Sequence, residues 1–286
     1  MKRLIILLFV SVFSVHMACS QSMDPNAVYL IIRADDIASS QAANEAIIKC
    51  YKDGIAKSTE VMVPSPWFIE AAELLRKNPG LDVGVHLVLS SEWDYIKWRP
   101  LTNAPSLVDS NGYFFPKIWK DPSFPPKTSL AESKWKLDEI EKELRAQIEM
   151  AKKHIPQVSH ISEHMGCTYL DPEIQKIAKK LAAEYGLDIK MDKVKGFNGF
   201  AGAKDNNDKI AAFIKNINNL KPGIYMFVEH PALDTPEMKH TGHLGNYTVA
   251  ADRQLVTDLF TSKEVVAAIK AKNIQLISYA DLPKLR

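Results

Sequence analysis

Short apolar runs alternate along the chain with stretches in which apolar residues recur every three or four positions. The first pattern predicts buried strands, and the second predicts amphipathic helices. The predicted strands cover residues 28–33, 59–63, 81–89, 157–164, 187–191, 224–228 and 274–278. The predicted helices cover residues 41–52, 66–77, 130–153, 172–185, 205–218 and 252–271.

This alternation of about seven strands with six helices predicts an α/β fold with a parallel sheet and outer helices. So many βα units favour an irregular (β/α) barrel, and an open doubly wound sheet is the alternative. In a barrel the carboxyl ends of the strands meet at one face. Side chains far apart in the sequence can therefore surround one site there.

The first residues are typical of a segment that is removed from the mature protein. Lys2 and Arg3 precede an apolar run at residues 4–15, which is followed by small and polar residues. This layout predicts a cleaved secretory leader over residues 1–22 and export to a bacterial cell envelope. Cys19 is a candidate for lipid attachment, so a membrane-anchored lipoprotein and a released periplasmic protein are both open.

The roughly 265 residues after the leader have the usual length of one α/β barrel, and we expect a single domain over residues 27–286. A hydrophobic content of 46% supplies a sizeable core. The net charge of +2, without a dense Lys/Arg tract, argues against a nucleic-acid partner. The mature chain also lacks an apolar run long enough for a transmembrane segment. Cys50 and Cys167 are expected to be packed thiols, with a disulfide as the alternative.

Carboxylates and histidines lie at or just after four predicted strands. They are the pair Asp35 and Asp36, followed by His86, His164 and His230. Carboxylate oxygen and imidazole nitrogen suit a divalent cation such as zinc, and three ligands leave a position for water. Each residue has a simpler interpretation as well, because an Asp pair can cap a helix and a core histidine can bond to the backbone.

His160 and His164 lie on the same predicted strand. Pro156 and the alternation of polar and apolar residues favour a strand over a helix here, so both side chains face one side about 13 Å apart, at about 3.3 Å per residue. His164, at the strand end, is the better metal ligand. His160 is expected deeper in the barrel, as a structural group that supports the site.

Short motifs follow one another in a characteristic order from residue 27 to the C-terminus. They are Val28 to Asp36, Asn44, Gly54-Ile55 with Ser58-Thr59, Val83 to Leu87, Ser159 to His164, Glu229-His230-Pro231, Tyr247, Arg253, and Ile277 to Leu282. In this order the chain resembles the YdjC-like (ChbG/HpnK) carbohydrate deacetylases. The resemblance implies an irregular (β/α) barrel, one divalent metal ion (Mg or Zn), and hydrolysis of an N-acetyl group from an amino sugar or its oligomers.

The resemblance also implies roles for individual residues. Asp36, His86 and His164 match the metal ligands of the family, Asp35 matches the general base, and His230 matches the acid that protonates the leaving amine.

Three positions depart from the pattern of the family. Many members have Asp in place of Ser162, a further His in place of Gly166, and Asn in place of Arg33. The first two differences affect the support of the metal and the contacts with substrate. Arg33 adds a positive charge beside the two carboxylates unless its side chain points away.

The connection over residues 90–127 is long for a compact domain and rich in aromatic residues, which predicts an ordered lid or groove wall. Trp93 and Trp98 are candidates for stacking on sugar rings, and packing of the loop against the barrel is the alternative. Arg253 is a third candidate for substrate binding. The polar stretch at residues 240–247 is expected near the same cleft.

Three functions are compatible with these features. A metal-dependent deacetylase acting on an N-acetylated amino sugar or oligosaccharide is favoured. A metal-dependent esterase or phosphoesterase would use the same ligands, and a noncatalytic carbohydrate-binding protein of the cell envelope would need neither Asp35 nor His230. A glycosidase is disfavoured, because its two carboxylates need separate supports at least about 5 Å apart.

Overall fold

The computed structural model describes residues 24–285. The predicted leader, including Cys19, lies outside these residues. The strands are β1 Val28–Ile37, β2 Ser58–Val61, β3 Asp82–Leu87, β4 Val158–Glu163, β5 Val194–Gly196, β6 Gly223–Glu229 and β7 Gln275–Ile277. The helices are α1 Gln41–Lys52, α2 Phe68–Arg76, α3 Leu137–His154, α4 Pro172–Tyr185, α5 Lys209–Asn218, α6 Pro236–Lys239, α7 Val249–Thr261 and α8 Lys263–Ala271.

The seven strands form one parallel sheet in the order β4-β3-β2-β1-β6-β5, with β7 also paired to β1. One edge of β1 pairs with β6 along residues 28–34, and its other edge is shared by β7 and then β2. In the described part of the chain, β4 and β5 are not paired with each other. The predicted α/β fold is therefore confirmed as a curled half-barrel surrounded by helices.

Three predicted elements were wrong in detail. Residues 187–191 are not a strand, and β5 lies a few residues later, at Val194–Gly196. Ile189 and Met191 do pack against the inner face of the sheet, so their apolar alternation reflects burial without strand pairing. The predicted helix at 252–271 is two helices, because Ser262 is extended and its side chain caps the second one. The helix predicted from residue 130 begins at Leu137, after a short 3-10 turn.

The two faces of the sheet differ in chemistry. Leu30 and Ile32 of β1 face the helices and belong to the main hydrophobic core. Tyr29 and Ile31 face the inside of the half-barrel, where a smaller apolar cluster fills the amino-terminal end. Further along the strand the inner positions become polar. The interior of the half-barrel is therefore apolar at the amino-terminal ends of the strands and charged at the mouth, where the strands end.

Two further observations concern the predicted sequence features. Cys50 and Cys167 are buried free thiols, which confirms the prediction of packed thiols over the alternative of a disulfide. Within residues 24–285, no helix has the length and apolar character needed to cross a bilayer.

Phenylalanine rings hold α5 and α7 against β6. Phe213 is fully buried, and its ring centroid lies 5.1 Å from that of Phe227. We expect Phe213→Ala to lower the free energy of unfolding by about 3–5 kcal/mol, because a buried ring is replaced by a cavity. Urea denaturation measures this loss. Val266→Ala, a control at a half-exposed position of α8, should change stability by less than about 1 kcal/mol.

Candidate metal centre and active-site cleft

The end of β1 is irregular, and this brings both acidic side chains to the site. The register between β1 and β2 shifts between Ala34 and Ile37, and Asp36 has a left-handed backbone with φ 70°. Such irregularities turn a side chain away from the regular alternation of a strand. Oxygen atoms of Asp35 and Asp36 consequently lie 3.9 and 3.6 Å from His86 Nε2. The two carboxylates therefore converge, whereas in a regular strand adjacent side chains point to opposite faces.

The three predicted metal ligands meet at one point. Asp36 Oδ1 lies 3.6 Å from His86 Nε2 and 3.4 Å from His164 Nδ1. One ligand atom from each residue lies within 4.8 Å of the others, and all three side chains are buried. This Asp-His-His group could bind one metal ion.

The chemistry of this group fits a divalent cation. Asp36 Oδ1 is buried and accepts no hydrogen bond from the described residues. A buried carboxylate oxygen without a partner is costly, and a cation would satisfy it. One oxygen and two imidazole nitrogens are ligands that zinc accepts, whereas magnesium prefers oxygen alone.

A hydrogen bond orients His86, the first candidate histidine ligand. His86 Nδ1 lies 2.7 Å from Ser162 Oγ, so the opposite nitrogen faces Asp36. Burial lowers the pKa of His86 to about 3, and the nearby His164 contributes. The ring is therefore neutral and has a lone pair to offer a metal.

A carboxylate orients His164, the second candidate histidine ligand. His164 Nε2 lies 3.1 Å from Glu92 Oε2, which leaves Nδ1 facing Asp36. Although burial lowers the pKa of His164, the charges of Glu92 and Asp36 outweigh it and raise the pKa to about 10. A cation must therefore displace the proton on Nδ1 when it binds.

The second oxygen of Asp36 is held by an arginine from α7. Arg253 Nη2 donates to Asp36 Oδ2 at 2.8 Å. Burial raises the pKa of Asp36, but the charges of His230, Arg253 and His164 outweigh it and hold the pKa well below its usual range. The carboxylate is therefore ionised.

Asp35 is paired with the arginine that departs from the family pattern. Arg33 Nη2 donates to Asp35 Oδ2 at 2.7 Å, and its Nη1 donates to the Tyr279 hydroxyl at 2.9 Å. Asp35 Oδ1 accepts no hydrogen bond within residues 24–285. Burial raises the pKa of Asp35 to about 7, against the lowering effect of Arg33. One oxygen is anchored, and the other is free to accept a proton.

A cleft of about 370 Å³ opens at the mouth of the half-barrel. This mouth cleft is lined by two metal-ligand candidates and by other predicted site residues, together with part of the polar stretch at 240–247. The lining includes Asp36, Glu92, Trp93, His164, Glu229, His230, His243, Asn246 and Arg253. Asp35 and His86 do not line it, but His86 Nε2 lies 3.6 Å from the lining residue Asp36. Burial lowers the pKa of His230 to about 4, and the charge of Asp36 opposes this effect.

The two predicted tryptophans occupy different places. Trp93 lines the mouth cleft, with its ring stacked on His243 at 5.6 Å. Trp98 is 2% exposed, donates from Nε1 to the Ser90 carbonyl, and packs edge-on against His164. Both rings are buried, since Trp93 is only 6% exposed. Trp93 borders the cleft, whereas Trp98 packs against the candidate ligand His164.

A comparison with protein families covers most of the chain. The family described as YdjC-like protein matches residues 29–271. The chain belongs to this family.

The YdjC-like relatives include two curated bacterial proteins. Carbohydrate deacetylase 2 of Listeria innocua is 30% identical over 89% of this chain and 99% of the relative. Carbohydrate deacetylase of Geobacillus stearothermophilus is 28% identical over 90% of this chain and 99% of the relative. A crystal structure from Enterococcus faecalis, named a cellobiose-phosphate cleavage protein, is 26% identical, with a TM-score of 0.70 over 90% of this chain and 99% of its own.

Two other departures from the YdjC-like pattern also lie beside the ligands. Ser162 contacts His86, as described above. Gly166 follows His164 by two residues with φ 61°, and a Cβ there would lie 3.3 Å from the Trp119 ring. In this chain the indole of Trp119 thus occupies the space that a larger residue at position 166 would use.

Sequence reasoning missed two carboxylates of the site. Glu92 lies in the long connection after β3, and Glu60 lies in β2, where it contacts Ser162 and His160. The sequence did contain a signal that Glu60 belongs to the site, because Glu60 is a charged residue in a short strand between buried positions. Glu92 had none, since its contact with His164 depends on the path of an irregular loop.

We expect the wild-type chain to bind one Zn²⁺ and to unfold at a higher temperature when the ion is present. At a free concentration 100 times the Kd, binding adds about 2.7 kcal/mol to the free energy of unfolding. Asp36→Ala and His164→Ala should lose both effects. His240→Ala removes an exposed histidine outside the site and should keep them. Calorimetric titration and thermal unfolding give the result, and full Zn²⁺ binding by Asp36→Ala would contradict the ligand assignment.

Proposed function

We propose that this YdjC-like chain is a metal-dependent hydrolase that removes the acetyl group from an N-acetylated amino sugar or oligosaccharide. The observation that carries the proposal is the convergence of Asp36, His86 and His164 beside Asp35 and next to the cleft that His230 lines. The carbohydrate deacetylases among its relatives support the substrate class. The predicted leader further leads us to propose that the chain acts in the cell envelope.

Asp36, His86 and His164 would hold the metal ion, with Zn²⁺ favoured over Mg²⁺ by the two nitrogens. A bound divalent ion would polarise the acetyl carbonyl and make a water molecule more acidic. The residues around it would then move protons. Asp35 accepts a proton at its free Oδ1 while Arg33 keeps Oδ2 in place.

His230 would supply the proton for the departing nitrogen. It follows β6 directly and lines the mouth cleft together with Asp36 and His164. Burial lowers the pKa of His230 to about 4 against the opposing charge of Asp36, so the free ring is neutral and would have to receive the proton released from the attacking water before it donates one. A ring that holds its proton weakly donates it readily to an amine leaving group.

A panel of acetylated sugars tests the reaction. The metal-loaded chain is incubated with N-acetylated monosaccharides and oligosaccharides and with O-acetylated sugars, and free acetate and free amine are measured separately. Equal release of both supports the proposal. Acetate without amine points to an esterase, and release of neither supports the carbohydrate-binding alternative. A phosphorylated disaccharide belongs in the panel, because release of phosphate would reveal a phosphoesterase.

We expect Asp35→Asn and His230→Ala each to lower kcat by about 10²- to 10⁴-fold, the usual contribution of a general base or acid. Both variants should keep Zn²⁺ affinity and unfolding temperature close to wild type, because neither residue is a metal ligand. Steady-state kinetics on the best substrate and calorimetric titration measure the two effects.

Glu163→Gln is the comparison variant for the base. Glu163 bonds to Thr168 and lines a different cleft, so its loss should leave kcat largely intact. An active Asp35→Asn together with an inactive Glu163→Gln would move the role of the base to Glu163.

The two tryptophans should respond differently to truncation. We expect Trp93→Ala to raise KM, more for oligosaccharides than for a monosaccharide, because its ring lines the cleft. Trp98→Ala should instead lower the free energy of unfolding by about 3–5 kcal/mol and affect all substrates alike. Kinetics over a series of chain lengths and thermal unfolding distinguish these patterns. If Trp93→Ala weakened activity equally for monosaccharides and oligosaccharides, the Trp93 ring would have only a packing role.

A further inference from the structure

Glu60 is a fully buried carboxylate to which the proposed reaction assigns no role. It has 0% exposure on β2, and both of its oxygens are occupied. Oε1 accepts a hydrogen bond from His160 Nε2 at 2.8 Å, and Oε2 accepts one from the Ser162 hydroxyl. Arg33 Nε lies 3.9 Å from Oε1 and adds a compensating charge. Buried carboxylates persist only where such partners offset their desolvation.

The direction of these hydrogen bonds determines the state of His86. Ser162 has one hydroxyl hydrogen, and the Glu60 carboxylate, which can only accept, receives it. Ser162 Oγ must therefore accept its second hydrogen bond from His86 Nδ1, at 2.7 Å. With the proton on Nδ1, the lone pair is on Nε2, the nitrogen 3.6 Å from Asp36 Oδ1.

A glycine on the intervening strand makes this contact possible. Gly84 of β3 is paired with Glu60 on one side and with His160 on the other. A Cβ at position 84 would lie 2.1 Å from Glu60 Oε2 and 2.5 Å from His160 Nε2. Because no side chain is present there, the carboxylate on β2 can reach across β3 to Ser162 on β4.

We propose that Glu60 is a positioning residue of the metal centre, which acts through Ser162 to keep the His86 Nε2 lone pair directed at the ion. The inference rests on the metal-dependent function proposed above and extends it to a residue that contacts neither ligand nor substrate.

The test measures Zn²⁺ affinity of the metal-stripped full chain by calorimetric titration. In Glu60→Gln the side-chain amide can donate to Ser162, which would reverse both hydrogen bonds and move the His86 proton to Nε2. We expect affinity to fall about 10- to 100-fold, as is usual when a partner of a ligating histidine is lost. Ser162→Ala should give a similar loss, because it removes the link and leaves both side chains in place.

A rescue separates positioning from a general loss of structure. Ser162→Asp provides a carboxylate for His86 Nδ1 directly, but beside Glu60 it places two like charges together and should weaken Zn²⁺ binding. The double variant Glu60→Gln with Ser162→Asp removes that repulsion and should recover most of the wild-type affinity. Glu143→Gln is the matched control, since Glu143 is an equally buried carboxylate bonded to Thr102. It should leave Zn²⁺ affinity unchanged.

The outcomes are distinguishable. Wild-type Zn²⁺ affinity in folded Glu60→Gln would overturn the inference, and so would a double variant that binds no better than the two single variants. A wild-type chain that binds no Zn²⁺ would overturn the metal-dependent function itself, and the positioning role with it.

Discussion

A buried carboxylate oxygen without a hydrogen-bond donor is the constraint on which the arrangement of the site depends. Asp36 Oδ1 is in this position at the end of the central strand, and its other oxygen is fixed by Arg253. The neighbouring groups keep the first oxygen available. Because Ser162 and Glu92 each engage the far nitrogen of a histidine, the near nitrogens of His86 and His164 face the same point. The polypeptide thus gathers one carboxylate oxygen and two imidazole nitrogens around a point where a divalent cation could bind.

Much of this arrangement could be predicted from the sequence. Strands and helices alternate so regularly that the parallel sheet follows, and the carboxyl ends of parallel strands must lie at one edge. The positions of Asp36, His86 and His164 at three such ends were enough to bring them together. The family resemblance added the proposed roles of Asp35 and His230, which no spacing along the chain indicates.

The remaining features depend on three-dimensional contacts between distant residues. The apolar alternation at 187–191 has the period of a strand, but those residues lie in the gap between β4 and β5, where no strand pairs with them. Glu92 reaches His164 from an irregular loop. In each case the local sequence pattern is compatible with two different structures, and the tertiary neighbours decide which of them forms.

The pairing of β1 with β7 has a consequence for the order of folding. Tyr29, Leu30 and Ile31 are paired with residues 275–277, so the first strand of the sheet completes its pairing only after those distant residues have been made. Contacts between such distant parts of a chain form slowly. While the protein is being synthesised, the strand that carries Asp35 and Asp36 has half of one edge unpaired. A nascent chain that stops before residue 275 would therefore have the candidate ligands of the site without the complete sheet that fixes their positions.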